Sequence, residues 1–218
     1  AERFANTAAR AVRAAVASFA ARDWERHEQQ LVPGFRYSDR RKLTRVELDR
    51  DGYVAFIRSV GDMASTGLTV ELLATRGERL ALHRTRTEIE GGDVGPSEIV
   101  SLSLCETSPR GEVARLSRFD SDDQPAALAE LDARWETSDA ATHPRASAWI
   151  AAYLQGFASR DWDAVAALFA QELISRDHRL VSWGTLRGPA ALVSTMQAQI
   201  SLAPDTQDRV AHLRTSER

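Results

Sequence analysis

A stretch of this chain occurs twice. Residues 19–43 read FAARDWERHEQQLVPGFRYSDRRKL, and residues 157–181 read FASRDWDAVAALFAQELISRDHRLV. Phe19 pairs with Phe157, Trp24 with Trp162, Asp39 with Asp177 and Arg41 with Arg179, each 138 residues apart and with no gap between them. A constant register over such a length points to two copies of one structural unit. A chain of 218 residues accommodates two units of ordinary domain size.

The periodicity within the first copy is that of an α+β unit. Ala8, Ala9, Val12, Ala15, Val16 and Phe19 place one apolar face on a first helix. Asp23 can cap a short second helix that buries Trp24, His27 or Glu28, and Leu31, with Pro33-Gly34 as its stop. Phe35 to Ser38 reads as a short strand running into the charged bend Asp39-Arg40-Arg41-Lys42. After Asp51, taken as a cap, Tyr53, Phe56, Ile57 and Val60 mark a third helix ending by Gly61. The period then changes to two. Leu68–Thr75, Leu80–Ile89, Val100–Cys105 and Val113–Phe119 read as four successive antiparallel strands, joined by turns at 76–79, 91–96 and 109–111. Helices are expected on one face of that sheet. A terminal helix through Leu128, Leu131 and Trp135 either packs on the sheet or leads away from it.

These patterns divide the chain into a complete unit at 1–136, a polar small-residue linker at 137–145 and a partial second copy at 146–218. The second copy repeats the helices, the bend and the start of the first long strand, and lacks counterparts of about Glu78 to Trp135. A helical layer without its sheet leaves apolar side chains in water, so this half is expected to be completed by another chain, to dock on the first copy, or to be a shortened piece. The absence of an initiating Met also suggests a segment of something longer or a processed start.

Composition removes several classes of function. A net charge of −3 and a pI near 6.0 give no electrostatic reason to expect nucleic acid or an anionic membrane as partner. No apolar run approaches the roughly 18 residues of a membrane span. The single Cys105 and five scattered His show no metal-ligand spacing, so no metal and no cofactor are expected, and one Cys suits a cytoplasmic location. The 91–95 glycine-rich loop joins strand to strand and lacks the Lys and Ser/Thr of a phosphate cradle.

The helix-helix-strand-helix start, the Arg22-Asp23-Trp24 turn, the bend at Asp39, the block Leu73-Ala74-Thr75-Arg76-Gly77-Glu78-Arg79-Leu80-Ala81-Leu82, and Phe119-Asp120-Ser121-Asp122-Asp123 followed by Ala129-Glu130-Leu131-Asp132-Ala133-Arg134-Trp135 resemble the SnoaL-like group of the nuclear-transport-factor-2-like (NTF2-like) superfamily. The tandem form is similar to that found at the ends of large bacterial regulatory or ATPase proteins. The resemblance implies a cone, with a curved, mainly antiparallel sheet wrapped on three N-terminal helices around a cavity for a mostly apolar ligand. It also implies homodimerisation through an exposed sheet face, here expected to carry Ser101, Ser103 and Cys105 beside Arg115 and Ser117. Partners would be a small apolar molecule, a second copy, or other domains of a parent protein.

The resemblance covers enzymes and noncatalytic modules alike, and fold alone does not choose between them. Its enzymes use a cavity carboxylate or His as base opposite a donor to the enolate. The groups available here are Tyr37, Asp39, His83, Glu88 and Glu98. Asp39 is the catalytic candidate, yet its recurrence as Asp177 favours a bend residue paired with Arg41. If Leu80 and Leu82 face the cone, His83 faces outward, and Arg84, Arg86 and Glu88 line the cavity toward an anionic ligand or an internal ion pair; otherwise the strand twists into solvent there. Trp24 and Tyr37 complete the cavity set, although a Trp opening a short helix is more often a packing wedge. Three functions follow: a noncatalytic ligand-binding or accessory module as first choice, a polyketide-cyclase-like or ketosteroid-isomerase-like enzyme as second, and a dimerisation scaffold as third.

Overall fold

Asn6 starts the first helix, α1 (Thr7–Ala20), by accepting a hydrogen bond from the Ala9 N–H while its own amide donates to the Gly77 and Leu80 carbonyls. In the computed structural model residues 4–62, 65–91, 94–138, 144–178 and 182–213 are described. They fall into two units, Ala1–Asp139 with Ala211–Arg218, and Ala140–Val210.

In the first unit α1 is followed by α2 (Trp24–Gln29), β1 (Leu31–Asp39), β2 (Val46–Asp49), α3 (Arg50–Asp62), β3 (Ser65–Arg76), β4 (Leu80–Gly91), β5 (Val94–Thr107), β6 (Val113–Asp120) and α4 (Gln124–Ser138). Asp23 caps α2 as expected, accepting from the Arg26 N–H at 3.1 Å. Two local readings change. Pro33 and Gly34 are not the stop of α2: the helix ends at Gln29, and β1 begins at Leu31 and carries both residues through a register slip between Leu31 and Arg36. The cap of α3 is Asp49, whose Oδ1 accepts the Gly52 N–H at 2.9 Å, while Asp51 lies inside the first turn. Asp49 also ends β2, a strand the charged bend had obscured.

The fold is α+β, with a curved, open and mostly antiparallel sheet set against the N-terminal helices. Its one parallel contact among the first six strands is β1 with β6. Register defines the two faces. Ala81, Cys105, Leu116 and Tyr37 stand side by side across β4, β5, β6 and β1. They pack with Ala8 and Ala9 of α1 and Tyr53 and Val54 of α3. Leu80, Leu82, Leu102 and Leu104 have the opposite parity and are fully buried on the other face, which α4 covers with Ala127, Leu131 and Trp135. Burying each such Leu contributes about 1.5–3 kcal/mol relative to leaving it exposed. Polar contacts fix α4 in place, with Arg134 donating to Ser117 Oγ at 2.7 Å and Arg76 to Asp132 at 2.7 Å.

Helices on both faces correct three expectations at once. Leu80 and Leu82 face α4, so His83 belongs to the inner face, where it is buried. Arg84, Arg86 and Glu88 stand on the outer face, where Arg84 pairs with Glu71 and Arg86 with Glu98. Ser101, Ser103 and Cys105 are buried on the inner face and form no exposed dimerisation surface.

The second unit consists of α5 (Pro144–Ser159), α6 (Trp162–Ala167), the small hairpin β7 (Ile174–Arg176) with β8 (Thr185–Arg187), and α7 (Gly188–Leu202). Trp24 and Trp162, which open α2 and α6, are 138 positions apart, as are Arg50 and Gly188, which open α3 and α7. Arg22 (φ 52°) and Arg160 (φ 60°) hold the same left-handed backbone before each Asp cap. Gly92 and Asp93 of the glycine-rich loop, residues 139–143 of the expected linker and Arg179 lie outside the described residues.

After α7 the chain returns to the first unit as β9 (His212–Leu213), which pairs in parallel with the free edge of β3. The sheet order is β2-β1-β6-β5-β4-β3-β9. Thr75 N–H donates to the Ala211 carbonyl and Gly77 N–H to the Leu213 carbonyl, both at 2.9 Å. Phe4 stacks on His212 at 4.6 Å between ring centres.

Candidate functional site

The inner face of the first unit gathers most of the chemistry in the chain. One row across the sheet reads Leu72, His83, Ser103, Arg118, Asp39 from β3 to β1. Strand alternation alone assembles it, since all five share a parity once the register is set.

Asp39 is buried at the end of that row and tied to the bend behind it. Arg41 donates to it through its backbone N–H at 3.1 Å, through Nε at 2.9 Å and through a terminal nitrogen at 2.6 Å. The Tyr37 hydroxyl donates at 3.1 Å. Burial alone would raise the carboxyl pKa, but the hydrogen bonds and charge of Arg41, together with Tyr37, outweigh it and leave the pKa lowered. A carboxylate held ionised by a paired Arg is a weak proton acceptor. Burial likewise pushes the Tyr37 phenol up to about 12, with Arg118 opposing.

His83 is the other buried titratable group on this face. Burial first, and the Arg13 cation second, bring its pKa down to about 4 against a smaller raising pull from the Ala81 carbonyl. The imidazole is therefore neutral at pH 7. Its neighbours on β4 and β5 form a two-by-two polar block in which Thr85 donates to Ser103 Oγ at 2.9 Å. On the opposite diagonal, His83 Nδ1 and Ser101 Oγ are buried without a hydrogen-bond partner among the described residues.

Toward the far ends of β3, β4 and β5 the same face becomes apolar and opens. Leu68, Val70 and Ile89 are half-buried there and Ile99 is 40% exposed. The base of the face is filled by contrast, with Phe35, Tyr37 and Tyr53 in ring contact at 4.9 and 5.1 Å.

Sequence reasoning missed two members of this site, Arg118 and Tyr53. Arg118 is half-buried on the inner face, beside the Tyr37 hydroxyl and near the phenol of Tyr53. Among the described residues no carboxylate stands within ion-pair distance of it, and the Tyr53 hydroxyl has no hydrogen-bond partner. The alternation Leu116-Ser117-Arg118-Phe119 does hold the signal. Phe119 pulls the reading the wrong way, because without α4 on the outer face it is the residue one would bury inside.

Arg84 pairs with Glu71 at 2.6 Å and Arg86 with Glu98 at 3.0 Å, both on the exposed outer face, and Glu88 is exposed beside them. Trp24 wedges α2 against α1 and α3: its ring meets Phe19 edge-on at 5.8 Å and lies so close to Gly61 that a Cβ there would sit 2.5 Å away. In the second unit a shallow groove of about 340 Å³ runs along α7, lined by Trp183, Ser194, Thr195, Ala198, Gln199 and Leu202, with no titratable group in it. Among the described residues no group of three or more His, Cys, Asp or Glu is placed to hold a metal, and no helix is long and apolar enough to cross a membrane.

With this geometry in view, the comparisons with known proteins fall on the fold. The chain is similar to solved structures that include an NTF2-like protein of unknown function from Exiguobacterium, at 10% identity, over 50% of this chain and 95% of that one, with a TM-score of 0.42. RV0760c from Mycobacterium tuberculosis, solved in complex with estradiol-17beta-hemisuccinate, is 12% identical over 52% of this chain and 92% of its own, with a TM-score of 0.47. SalBIII, an epoxide hydrolase/cyclase-like enzyme in pyran ring formation in the polyether salinomycin, is 11% identical over 50% and 87%, with a TM-score of 0.44. No family model matches the sequence, and no curated protein matches it.

Proposed function

We propose that the first unit is a noncatalytic binding module for a small, mostly apolar molecule held between α1, α3 and the inner face of the sheet. The observation that carries this reading is the division of that face. Its open end is apolar at Leu68, Val70, Ile89 and Ile99, while Asp39, the one buried carboxylate on it among the described residues, is tied to Arg41. Such a surface offers contact area and polar anchors without a free base. The second unit is, in this proposal, a further copy of the same helical layer; the constant 138-residue spacing of element starts and of the two left-handed Arg positions supports it.

The test is a thermal-shift screen of the full chain against lipophilic molecules. A stabilising compound should be found, its effect should be abolished by Ile99→Asp, and it should survive Asp39→Asn. A compound converted to product by the wild type and not by Asp39→Asn would replace this reading with the cyclase- or isomerase-like enzyme.

A further inference from the structure

Resting on that binding reading, the structure assigns a polar class to the ligand: we propose that Arg118 and Tyr53 form an anion subsite, so that the bound molecule is an apolar compound carrying a carboxylate. The expectation of an inward-facing cation was placed by sequence on Arg84 and Arg86. Those two face outward and are neutralised by Glu71 and Glu98. Arg118 takes the inward position instead and has no such partner among the described residues.

A guanidinium has five N–H donors in a planar fork and no acceptor. Half-buried on β6, Arg118 stands beside the phenolic oxygen of Tyr37, whose proton is already given to Asp39. From the facing layer Tyr53 of α3, whose ring is buried, brings a second hydroxyl close to Arg118 and without a hydrogen-bond partner among the described residues. A cation and an O–H donor from two layers thus stand together with donors to spare. An anion satisfies both, whereas a neutral apolar group leaves a partly desolvated charge unpaired. A carboxylate fits the fork in two-point fashion and accepts from Tyr53 as well, with its apolar remainder directed to Leu68, Val70 and Ile99.

Decanoate and methyl decanoate separate the two levels of the argument, because the ester reports apolar binding alone. Calorimetric titration of the full chain at neutral pH should give decanoate an affinity about 10-fold or more above the ester. Arg118→Gln should remove that advantage and leave the ester unchanged, and Tyr53→Phe, which deletes one oxygen and keeps the ring packing, should remove part of it. Equal binding of acid and ester by the wild type, or equal weakening of both by Arg118→Gln, overturns the anion subsite while the binding module stands. Failure of both probes to bind overturns the module and the subsite together. If Arg118→Gln fails to fold by circular dichroism, the acid-to-ester ratio of Tyr53→Phe decides: an unchanged ratio overturns the subsite.

Discussion

In the first unit Ser18 and His27 face each other across the α1–α2 corner with Oγ and Nδ1 3.0 Å apart; in the second, the same two positions hold Gly156 and Val165. The backbone around them is the same. Asp23 N–H donates to the Ser18 carbonyl and Asp161 N–H to the Gly156 carbonyl, each at 2.9 Å. Phe19 meets Trp24 edge-on at 5.8 Å, and Phe157 meets Trp162 edge-on at 5.7 Å. An Asp cap, a left-handed Arg and an aromatic wedge therefore build the corner, and its interior can be polar or apolar provided it is filled and satisfied. What differs is what each interior does when conditions change.

The largest difference should appear with acid. His83 and His27 both have folded pKa values below the ordinary value for histidine, chiefly through burial, so the unfolded chain takes up protons first as pH falls. Both contributions are intact above the ordinary histidine pKa and are lost as pH falls below it, that of His83 between about 6.5 and about 4. For His83 alone a shift from 6.5 to about 4 corresponds to about 3 kcal/mol. Hydrogen exchange resolved by segment should show the first unit loosening over this window, and His83→Leu should remove most of the change. The second unit has Val165 in place of His27 and an exposed His178, so equal acid loosening there would break the comparison.

The Trp wedge comes next. Gly61→Ala forces a Cβ against the Trp24 ring and should cost about 1–2 kcal/mol, while Gln199→Ala, 138 positions on and exposed, should stay within about 0.5 kcal/mol by urea unfolding. The caps should behave alike: Asp23→Ala and Asp161→Ala should each cost about 1 kcal/mol, and a twofold inequality would mean the corners are less equivalent than their geometry. Smallest is the left-handed pair. Arg22→Gly relieves a positive φ on an exposed side chain and should stabilise by about 0.5 kcal/mol. Arg160→Gly should gain nothing, because that side chain also donates to the Phe157, Pro204 and Thr206 carbonyls.

Much of the architecture was legible in the residues. The helices, the Asp23 cap and the four long strands follow from periodicity and local chemistry, both of which act within a few positions. The faces of the sheet were not legible, because parity says only that Leu82 and His83 point oppositely. Which of them is inside depends on where α4 packs, a contact made some fifty residues away in sequence. That single ambiguity moved Arg84, Arg86, Glu88, His83 and the Ser101–Cys105 segment to the wrong side, and it hid Arg118. The role of Asp39 was partly legible, since its recurrence pointed to the bend and the structure ties it to Arg41. Tyr53 was read only as a helix core residue, and nothing in its spacing marks its hydroxyl as unbonded.

Pairing β9 with β3 has a consequence in time. Thr75 and His212 touch across 137 positions, so the edge of β3 stays open until the whole intervening unit has left the ribosome. The loop to be closed is long, but closure entropy grows only with the logarithm of length, so the delay is one of synthesis more than of search. During that interval Thr75 and Gly77 present unpaired amides, and the nascent first unit is most open to pairing with a neighbouring chain.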